Sequence, residues 1–313
     1  MLNLRRLDIL QRFALHGSIA AAALDLGYSA SAVSQQLARL EREAGVALIE
    51  RTSHTASLTD AGHELVEHAS AILEAVETAQ SRMRARAGTI AGRVRISCIP
   101  GLAAAVAPHL AALQRRHPDL TVVTLHIESA RAEAALLERT TDVAVIDDWG
   151  EESVATATAL RIHRVHREPI VLAVPADHPI AADPKPVSAT TLHELAQSET
   201  WLSTPLGQVS RIAGDARLAK IGAEPTRRWE FDGLYVLARL VAVGSGIALL
   251  PASIAAYEES VAALPLRPRM VRSVHVLTRS TLQQDPAIAS CLDAVRQALR
   301  PQPAGTASAG RSQ

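Results

Sequence analysis

The spacing of apolar residues between positions 29 and 44 predicts a single amphipathic helix. Its apolar stripe recurs at intervals of four, three and four residues and consists of Val33, Leu37, Leu40 and Ala44. Ser29 precedes the stripe as an N-cap, and Gly45 follows it where a left-handed residue commonly ends a helix. The opposite face carries short or fork-shaped side chains: Ser31, Ser34, Gln35, Ala38 and Arg39. This face is typical of a helix that reads DNA, although an ordinary solvated amphipathic helix would explain the stripe equally well.

The segments before this helix predict a helix-turn-helix unit. Residues 4–15 have a helical pattern, and Ser18 can cap a second short helix over residues 19–26. Gly27 and Tyr28 then supply the turn. Two helices joined by a short turn that contains glycine form the unit whose second helix enters the major groove of DNA. Residues 46–50 and 58–59, on either side of a polar tip at 52–57, predict a small β wing.

A heptad pattern follows the wing. Thr59 can cap the next helix, and the apolar seam along it consists of Leu65, Ala69, Ile72, Val76, Ala79 and Met83. Glutamates lie outside the seam at positions 64, 67, 74 and 77. A lone helix has nothing against which to bury such a seam, so the pattern indicates either a helix that pairs with another helix or a core helix of one domain. Residues 82–92 are interpreted as a hinge.

From residue 93 onward, strands and helices alternate. The predicted strands are 94–99, 120–127, 142–146, 170–174, 201–202, 227–231, 247–250 and 271–278, and the predicted helices are 102–116, 131–139, 191–197, 209–221, 234–243 and 286–299. This alternation predicts an open α/β sheet, whose ligands bind at the carboxyl ends of strands. The tail from Pro301 is rich in Pro, Ala, Gly and Ser and is predicted to be disordered.

Composition is compatible with this picture and adds little to it. The 313 residues suggest two or three domains, and the 32 basic and 32 acidic side chains cancel. Up to Leu58 there are six arginines and five carboxylates, so a basic DNA-binding footprint must come from the placement of charges. The two cysteines exclude a disulfide scaffold. No signal peptide or apolar run long enough for a bilayer is found, which predicts a cytoplasmic protein with no membrane partner.

The N-terminal 65 residues resemble the LysR-type transcriptional regulators. The likeness rests on residues in the order and spacing typical of that family: Gly17-Ser18, Ala21-Ala22, Ser29, Ala32-Val33-Ser34-Gln35-Gln36-Leu37, Leu40-Glu41, Gly45-Val46, Leu48, Glu50-Arg51 and Leu58-Thr59-Asp60-Ala61-Gly62. The second half resembles the effector domain of the same family more weakly. That likeness rests on residues 174–180, VPADHPI, and residues 243–251, VGSGIALLP.

The resemblance implies an α+β multidomain protein. It has an N-terminal winged helix-turn-helix at 1–59, a linker helix and hinge at 60–92 that dimerises through the seam, and a two-lobed α/β effector domain at 93–300. That domain would resemble periplasmic binding proteins, with lobe one at 93–162 and 268–300 and lobe two at 163–267. The chain departs from the family's common form at the wing tip, where His54 is the sole candidate for a basic residue, and at Ser31, where proline is frequent.

Two sets of site residues follow from this interpretation. The predicted DNA contacts are Ser18, Ser29, Ser31, Ser34, Gln35, Arg39, Arg51 and His54. The predicted effector site combines the start of a helix with strand ends and consists of Ile99, Pro100, Gly101, Ser129, Asp147, Thr204 and Asp232. Free amides at the helix start favour an anion, whereas the two carboxylates suit an amine or several hydroxyls. Each carboxylate could instead merely cap a following helix.

Other chemistry is less well supported by the sequence. Cys98 could sense oxidants, but a lone cysteine is usually a small buried hydrophobe. His163 and His166, with Glu168, suggest a metal site, yet a spacing of three along a strand places the histidines on opposite faces. No nucleophile with a base, metal set or cofactor loop is found, so no enzyme activity, metal or cofactor is predicted.

The sequence therefore predicts a DNA-binding transcriptional regulator controlled by a small-molecule effector. Its predicted partners are double-stranded DNA, the effector, further copies of the chain in a dimer or tetramer, and RNA polymerase if it is an activator. A DNA-binding repressor or architectural protein that responds to no ligand is the alternative.

Overall fold

The structure, a computed structural model, describes residues 1–52, 55–150 and 157–300. The chain divides into two units. The first contains residues 1–89 together with the short segments 137–140 and 279–286, and the second contains 90–136, 141–278 and the residues from 287 onward. The predicted tail at 301–313 and the predicted DNA contact His54 lie outside the described residues.

The first unit contains a winged helix-turn-helix and a long helix. Its elements are α1 Leu4–His16, α2 Ile19–Leu26, α3 Ala30–Ala44, β1 Ile49–Arg51, β2 Ala56–Leu58 and α4 Asp60–Ala87. The predicted caps are confirmed, because Ser18, Ser29 and Thr59 each accept a hydrogen bond from a backbone amide in the first turn of α2, α3 and α4. β1 and β2 pair in antiparallel fashion as the wing.

The N-terminal core explains why the stripe of α3 faces inward. Its buried members include Leu7, Leu10, Phe13, Val33, Leu37, Leu40 and Leu48. Ala69 of α4 is fully buried in the same core, and Leu65 packs against it. The prediction that the dimerising seam includes Ala69 is therefore wrong, because its own helix-turn-helix covers that side chain. The exposed part of the seam lies farther along, at Ile72, Ala79 and Met83.

The first part of the predicted hinge, residues 82–92, is helical. Helix α4 continues to Ala87 and ends at Gly88, whose φ of 63° places it in the left-handed region. Arg84 and Arg86 lie in the last turn, where cations favour the negative end of the helix dipole. The glycine, and not the arginine-rich segment before it, thus ends the helix.

The second unit is an α/β structure. Its strands are β3 Gly92–Cys98, β4 Leu120–His126, β5 Val143–Asp148, β6 Leu160–Pro175, β7 Thr200–Ser203, β8 Arg227–Glu230, β9 Ile247–Pro251 and β10 Val261–Arg279. Its helices are α5 Pro100–Arg116, α6 Ala132–Leu137, α7 Ala189–Ser198, α8 Val209–Ala219, α9 Leu234–Ala242, α10 Ala252–Ala255 and α11 Pro286–Ala298. The strand order is β4-β3-β5-β10-β6-β9-β7-β8.

Two long strands at the centre of the sheet, β6 and β10, join its halves. β3 is parallel to β4 and β5, and β7 is parallel to β8 and β9, whereas β10 is antiparallel to β5 and β6 is antiparallel to β9. One hydrophobic cluster draws on β5, α6 and the end of β10, and another draws on the second half of β6 with β7, β9 and α9. The two clusters lie in the two halves of the sheet.

The predictions for these long strands were too short. β6 begins at Leu160 and β10 at Val261, each about ten residues before the predicted start. The first half of β6 carries arginines and histidines, and that of β10 carries prolines and arginines, so the sequence lacks the continuous apolar run that identifies a buried strand. The helix predicted at 131–139 is shorter, because a 3-10 turn precedes it and it ends at Leu137.

Candidate DNA interface and effector cleft

One face of α3 is available for contact with DNA. The side chains of Ser31, Gln35 and Arg39 are exposed and lie four residues apart, so they share one face of the helix. Ser34 is half-buried beside them. Within the described residues, the side chains of Gln35 and Arg39 form no hydrogen bond or ion pair, and so their donors and acceptors are free for bases and phosphates.

The two predicted serines outside the helix body sit at helix starts. Ser18 accepts a hydrogen bond from the amide of Ala21 at 3.1 Å, and Ser29 accepts one from the amide of Ala32 at 3.2 Å. The Ser29 hydroxyl also lies 3.0 Å from the hydroxyl of Ser31. These caps fix the starts of α2 and α3, where the helix dipole favours a phosphate.

Glu41 of the recognition helix, α3, holds the wing to that helix. One of its carboxylate oxygens accepts hydrogen bonds from the backbone amides of Leu48 and Ile49 at 3.1 and 3.0 Å. The other lies 3.2 Å from the guanidinium of Arg51, the predicted phosphate contact. Arg51 is thus partly neutralised but remains exposed on β1. No local pattern in the sequence indicates this role of Glu41, because the role depends on a hairpin formed later in the chain.

Six of the seven predicted effector residues meet in one cleft of the second unit. They are Ile99, Pro100, Gly101, Ser129, Asp147 and Asp232. Residues that were not predicted complete the lining: Glu128, Gln208, Val209, Ser210, Gly233 and Leu234. The cleft has a volume of about 50 Å³, which is room for a few water molecules. An effector larger than that requires the walls to move apart.

The prediction of Thr204 as a lining residue is wrong. Its side chain is buried, and its hydroxyl lies 2.8 Å from that of Ser210. Ser210, at the start of α8, lines the cleft together with Ser129, whereas Thr204 lines a smaller neighbouring cavity that Ser210 also reaches. Thr204 follows the end of β7 as predicted, but α8 packs over it.

The lining residue Asp147 belongs to a buried cluster of charges. Arg272 of β10 lies 2.6 Å from Glu168 of β6 and 3.4 Å from Asp147 of β5, and all three are nearly inaccessible to solvent. Asp147 also accepts the indole N–H of Trp149 at 2.8 Å. Burial raises the pKa of Glu168, but the charge and hydrogen bonds of Arg272 outweigh it, so that the pKa lies below its ordinary value.

Neither predicted carboxylate caps a helix within the described residues. The partners of Asp147 are Ser129, Trp149 and Arg272, and Asp232 accepts a hydrogen bond from the side-chain amide Nε2 of Gln208 at 2.9 Å. Helix α9 starts at Gly233 without a side-chain cap. The helix-cap interpretation is therefore wrong for both residues, and their positions are set by contacts between distant segments.

The start of α5 offers fewer donors than predicted. The amide of Ile99 donates to Val145, that of Leu102 donates back to Ile99, and Pro100 has no N–H. Of the backbone amides at Ile99, Gly101 and Leu102, that of Gly101 remains available to an anion. The expectation of several free amides at this point is therefore wrong.

Both cysteines are buried. The thiol of Cys98 lies 3.4 Å from the carbonyl of Ile99, and burial together with the charge of Asp147 raises its pKa to about 12. Such a thiol is almost entirely protonated at neutral pH and is a poor nucleophile. In residues 1–52, 55–150 and 157–300, no group of three or more His, Cys, Asp or Glu could hold a metal, and no helix combines the length and apolarity needed to cross a bilayer.

Comparison with known proteins gives a consistent result. Residues 4–63 match the model "Bacterial regulatory helix-turn-helix protein, lysR family", and residues 87–300 match "LysR substrate binding domain". The chain is 30% identical over 84% of both chains to a "Probable hydrogen peroxide-inducible genes activator" of Mycobacterium avium. It is 30% identical over 76% of its length and 78% of the relative to the HTH-type transcriptional regulator YnfL of Escherichia coli.

A solved structure shares the fold. A full-length OxyR variant from Pseudomonas aeruginosa superposes with a TM-score of 0.70 at 24% identity, covering 97% of this chain and 99% of that one.

Proposed function

Because the chain belongs to the LysR family of DNA-binding transcriptional regulators, we propose that an effector bound in the cleft of its second unit controls how it binds its operator. The convergence of six predicted residues in one cleft is the observation that carries this proposal. Within the described residues, the lining of the cleft includes the carboxylates of Glu128, Asp147 and Asp232 and no basic side chain. Asp147 is already paired with Arg272, which does not line the cleft, so the carboxylates of Glu128 and Asp232 are the ones that support an effector with amine or hydroxyl groups. The ligand shifts the protein between states only by its differential affinity for them.

Footprinting on the upstream intergenic DNA tests the proposal. The purified protein is assayed at fixed salt with a panel of amines, polyols, amino acids and carboxylic acids. We expect protection of an interrupted dyad whose extent changes with a compound that carries an amine or hydroxyls. A dyad whose protection no compound changes would support the alternative of a ligand-independent repressor or architectural protein.

We propose that two copies pair through the exposed part of the α4 seam, at Ile72, Ala79 and Met83.

We also propose a cytoplasmic location, because a bacterial regulator of this family binds DNA, which lies in the cytoplasm. The relative from M. avium is named an activator, which supports activation and contact with RNA polymerase. Sedimentation and a promoter-reporter assay test these proposals.

The recognition helix gives the first prediction. Gln35→Ala removes an exposed amide that can pair bidentately with adenine, so we expect it to lose about 1–3 kcal/mol of discrimination between the operator and single-base variants. Arg51→Ala, which removes a phosphate contact, should instead weaken binding to all sequences alike and lower the salt dependence. Competition binding across an operator-variant set separates the two effects. Unchanged base preference in Gln35→Ala would remove this residue from the interface.

A second prediction concerns oxidants. Although a relative is named for peroxide, both thiols of this chain are buried and Cys98 is held protonated. We therefore expect hydrogen peroxide to leave the footprint unchanged at concentrations that oxidise a free thiolate protein. The double variant Cys98→Ser with Cys291→Ser should bind operator as the parent does. A peroxide-dependent footprint that this double variant lacks would contradict the prediction.

A further inference from the structure

A cluster of charges in the first unit surrounds Glu77 of α4. The Glu77 carboxylate accepts hydrogen bonds from the guanidinium of Arg279 at 2.9 and 3.1 Å and from the hydroxyl of Thr281. The guanidinium of Arg139 lies 3.5 Å away. Burial raises the pKa of Glu77, but Arg279 and Arg139 outweigh it and the pKa falls below its ordinary value. The carboxylate of Glu77 is therefore ionised and shared by two cations. We name Glu77, Arg139, Arg279 and Thr281 the Glu77 cluster.

The Glu77 cluster also reaches the helix-turn-helix. Arg12 of α1 is buried, forms an ion pair with Asp25 at 3.2 Å, and donates to the backbone carbonyl of Arg139 at 2.8 Å. The side chain of Arg139 donates in turn to the carbonyl of Leu73 on α4 at 3.4 Å. Arg139 has a φ of 58°, a left-handed conformation that a non-glycine residue keeps only where its surroundings hold it.

The two arginines of the Glu77 cluster each lie on the same stretch of chain as residues in or next to the effector cleft. Arg279 is the last residue of β10, the strand that carries Arg272, the partner of the cleft residue Asp147. Arg139 follows α6, and the turn before α6 begins at Ser129 on the cleft wall. Because strands and helices are stiff, these elements are a physical route by which a displacement of the cleft residues can reach Arg279 and Arg139.

We propose that Glu77 couples the effector cleft to the DNA-binding head. The inference rests on the proposed function and adds the element through which it acts. While Glu77 holds both arginines, Arg139 fixes α1 and the head is preorganised for an interrupted dyad. When an effector displaces either arginine, the carboxylate of Glu77 can no longer hold both. Arg139 then no longer fixes α1, and the helix-turn-helix is free to change its position. The arrangement seen in the structure is the one in which both arginines are held, and the inference assigns the carboxylate a second one in which an arginine is released, as a coupling element requires.

The variant Glu77→Gln of the full chain tests this inference. Glutamine keeps the shape of the side chain but loses the charge shared by two guanidinium groups. We expect affinity for the full interrupted dyad to fall by about 5- to 150-fold, the usual range of coupling between sites. Affinity for a single half-site should stay that of the parent. Glu67→Gln, an exposed glutamate of the same helix, serves as the control and should change neither.

A merely structural role gives a different result. Equal losses on the dyad and the half-site, or no loss on either, would overturn the inference. If Glu77→Gln fails to fold, Arg139→Gln is expected to give the same selective loss on the dyad. Amide hydrogen exchange in the free protein adds a test without DNA, since α1 should exchange faster in Glu77→Gln than in the Glu67→Gln control. Absence of specific DNA binding by the parent would refute the proposed function, whereas unchanged exchange of α1 would refute the coupling.

Discussion

Arg272→Met is expected to lower the free energy of unfolding of the second unit by about 3–5 kcal/mol, the usual result of removing one partner from a buried ion pair. Methionine fills much of the same volume but leaves Glu168 and Asp147 buried without their cation. Chemical denaturation at neutral pH measures the loss. Arg269→Met, at an exposed position of the same strand, is the matched control and should remain within about 0.5 kcal/mol of the parent.

The dependence on pH identifies the cause. In the parent, the pKa of Glu168 is lowered in the folded state, so its contribution to stability is present above the ordinary pKa and is lost as the pH falls. Without Arg272, burial raises that pKa instead. The deficit of Arg272→Met should therefore shrink as the pH falls from about 7 toward 5, and adding Glu168→Gln should recover part of it. A deficit that is constant with pH would indicate lost packing and not an uncompensated charge.

Gly62→Ala is expected to destabilise the winged helix-turn-helix by about 3 kcal/mol, at the upper end of the usual cost of overpacking, and to abolish specific DNA binding. A Cβ at this position would lie 2.3 Å from the backbone carbonyl oxygen of Leu48 and 3.1 Å from a methyl group of Leu58. The carbonyl also accepts the amide of Thr59, so it cannot move without loosening the start of α4.

Gly214→Ala provides the matched control. Gly214 lies inside α8, and the nearest atom to an added Cβ is a methyl group of Leu249 at the ordinary contact distance of 3.8 Å. Alanine at a helical position with room should stabilise the second unit by about 0.5–1 kcal/mol. Calorimetry with circular dichroism measures both variants. A Gly62→Ala protein that melts as the parent does would contradict the predicted clash.

The sequence by itself determined the local features of this protein. The stripe of α3, the caps at Ser18, Ser29 and Thr59, and the order of strands and helices depend on residues a few positions apart. Such signals can be read because a helix repeats every 3.6 residues and a strand every two. The family resemblance likewise came from short segments whose spacing is fixed by one structural unit.

Tertiary structure decided what depends on distant segments. Ala69 fits the heptad seam by its spacing, yet it is buried because the core of the helix-turn-helix reaches α4. The sequence predicted Thr204 as a hydroxyl ligand, whereas the packing of α8 places the unpredicted Ser210 in the lining of the cleft. The free amides expected near Ile99 are consumed by β5 and by the turn itself.

The partners of the buried charges were likewise decided by the tertiary structure. Nothing in the sequence near Arg272 identifies Glu168 and Asp147 as its partners, or assigns Arg279 and Arg139 to Glu77, because these residues are separated by long stretches of chain. The strength of such pairs depends on burial and on distances of a few ångströms. Local patterns therefore determined the elements and the family, whereas the composition of the cleft, the exposed part of the seam and the charge clusters were decided by how those elements pack.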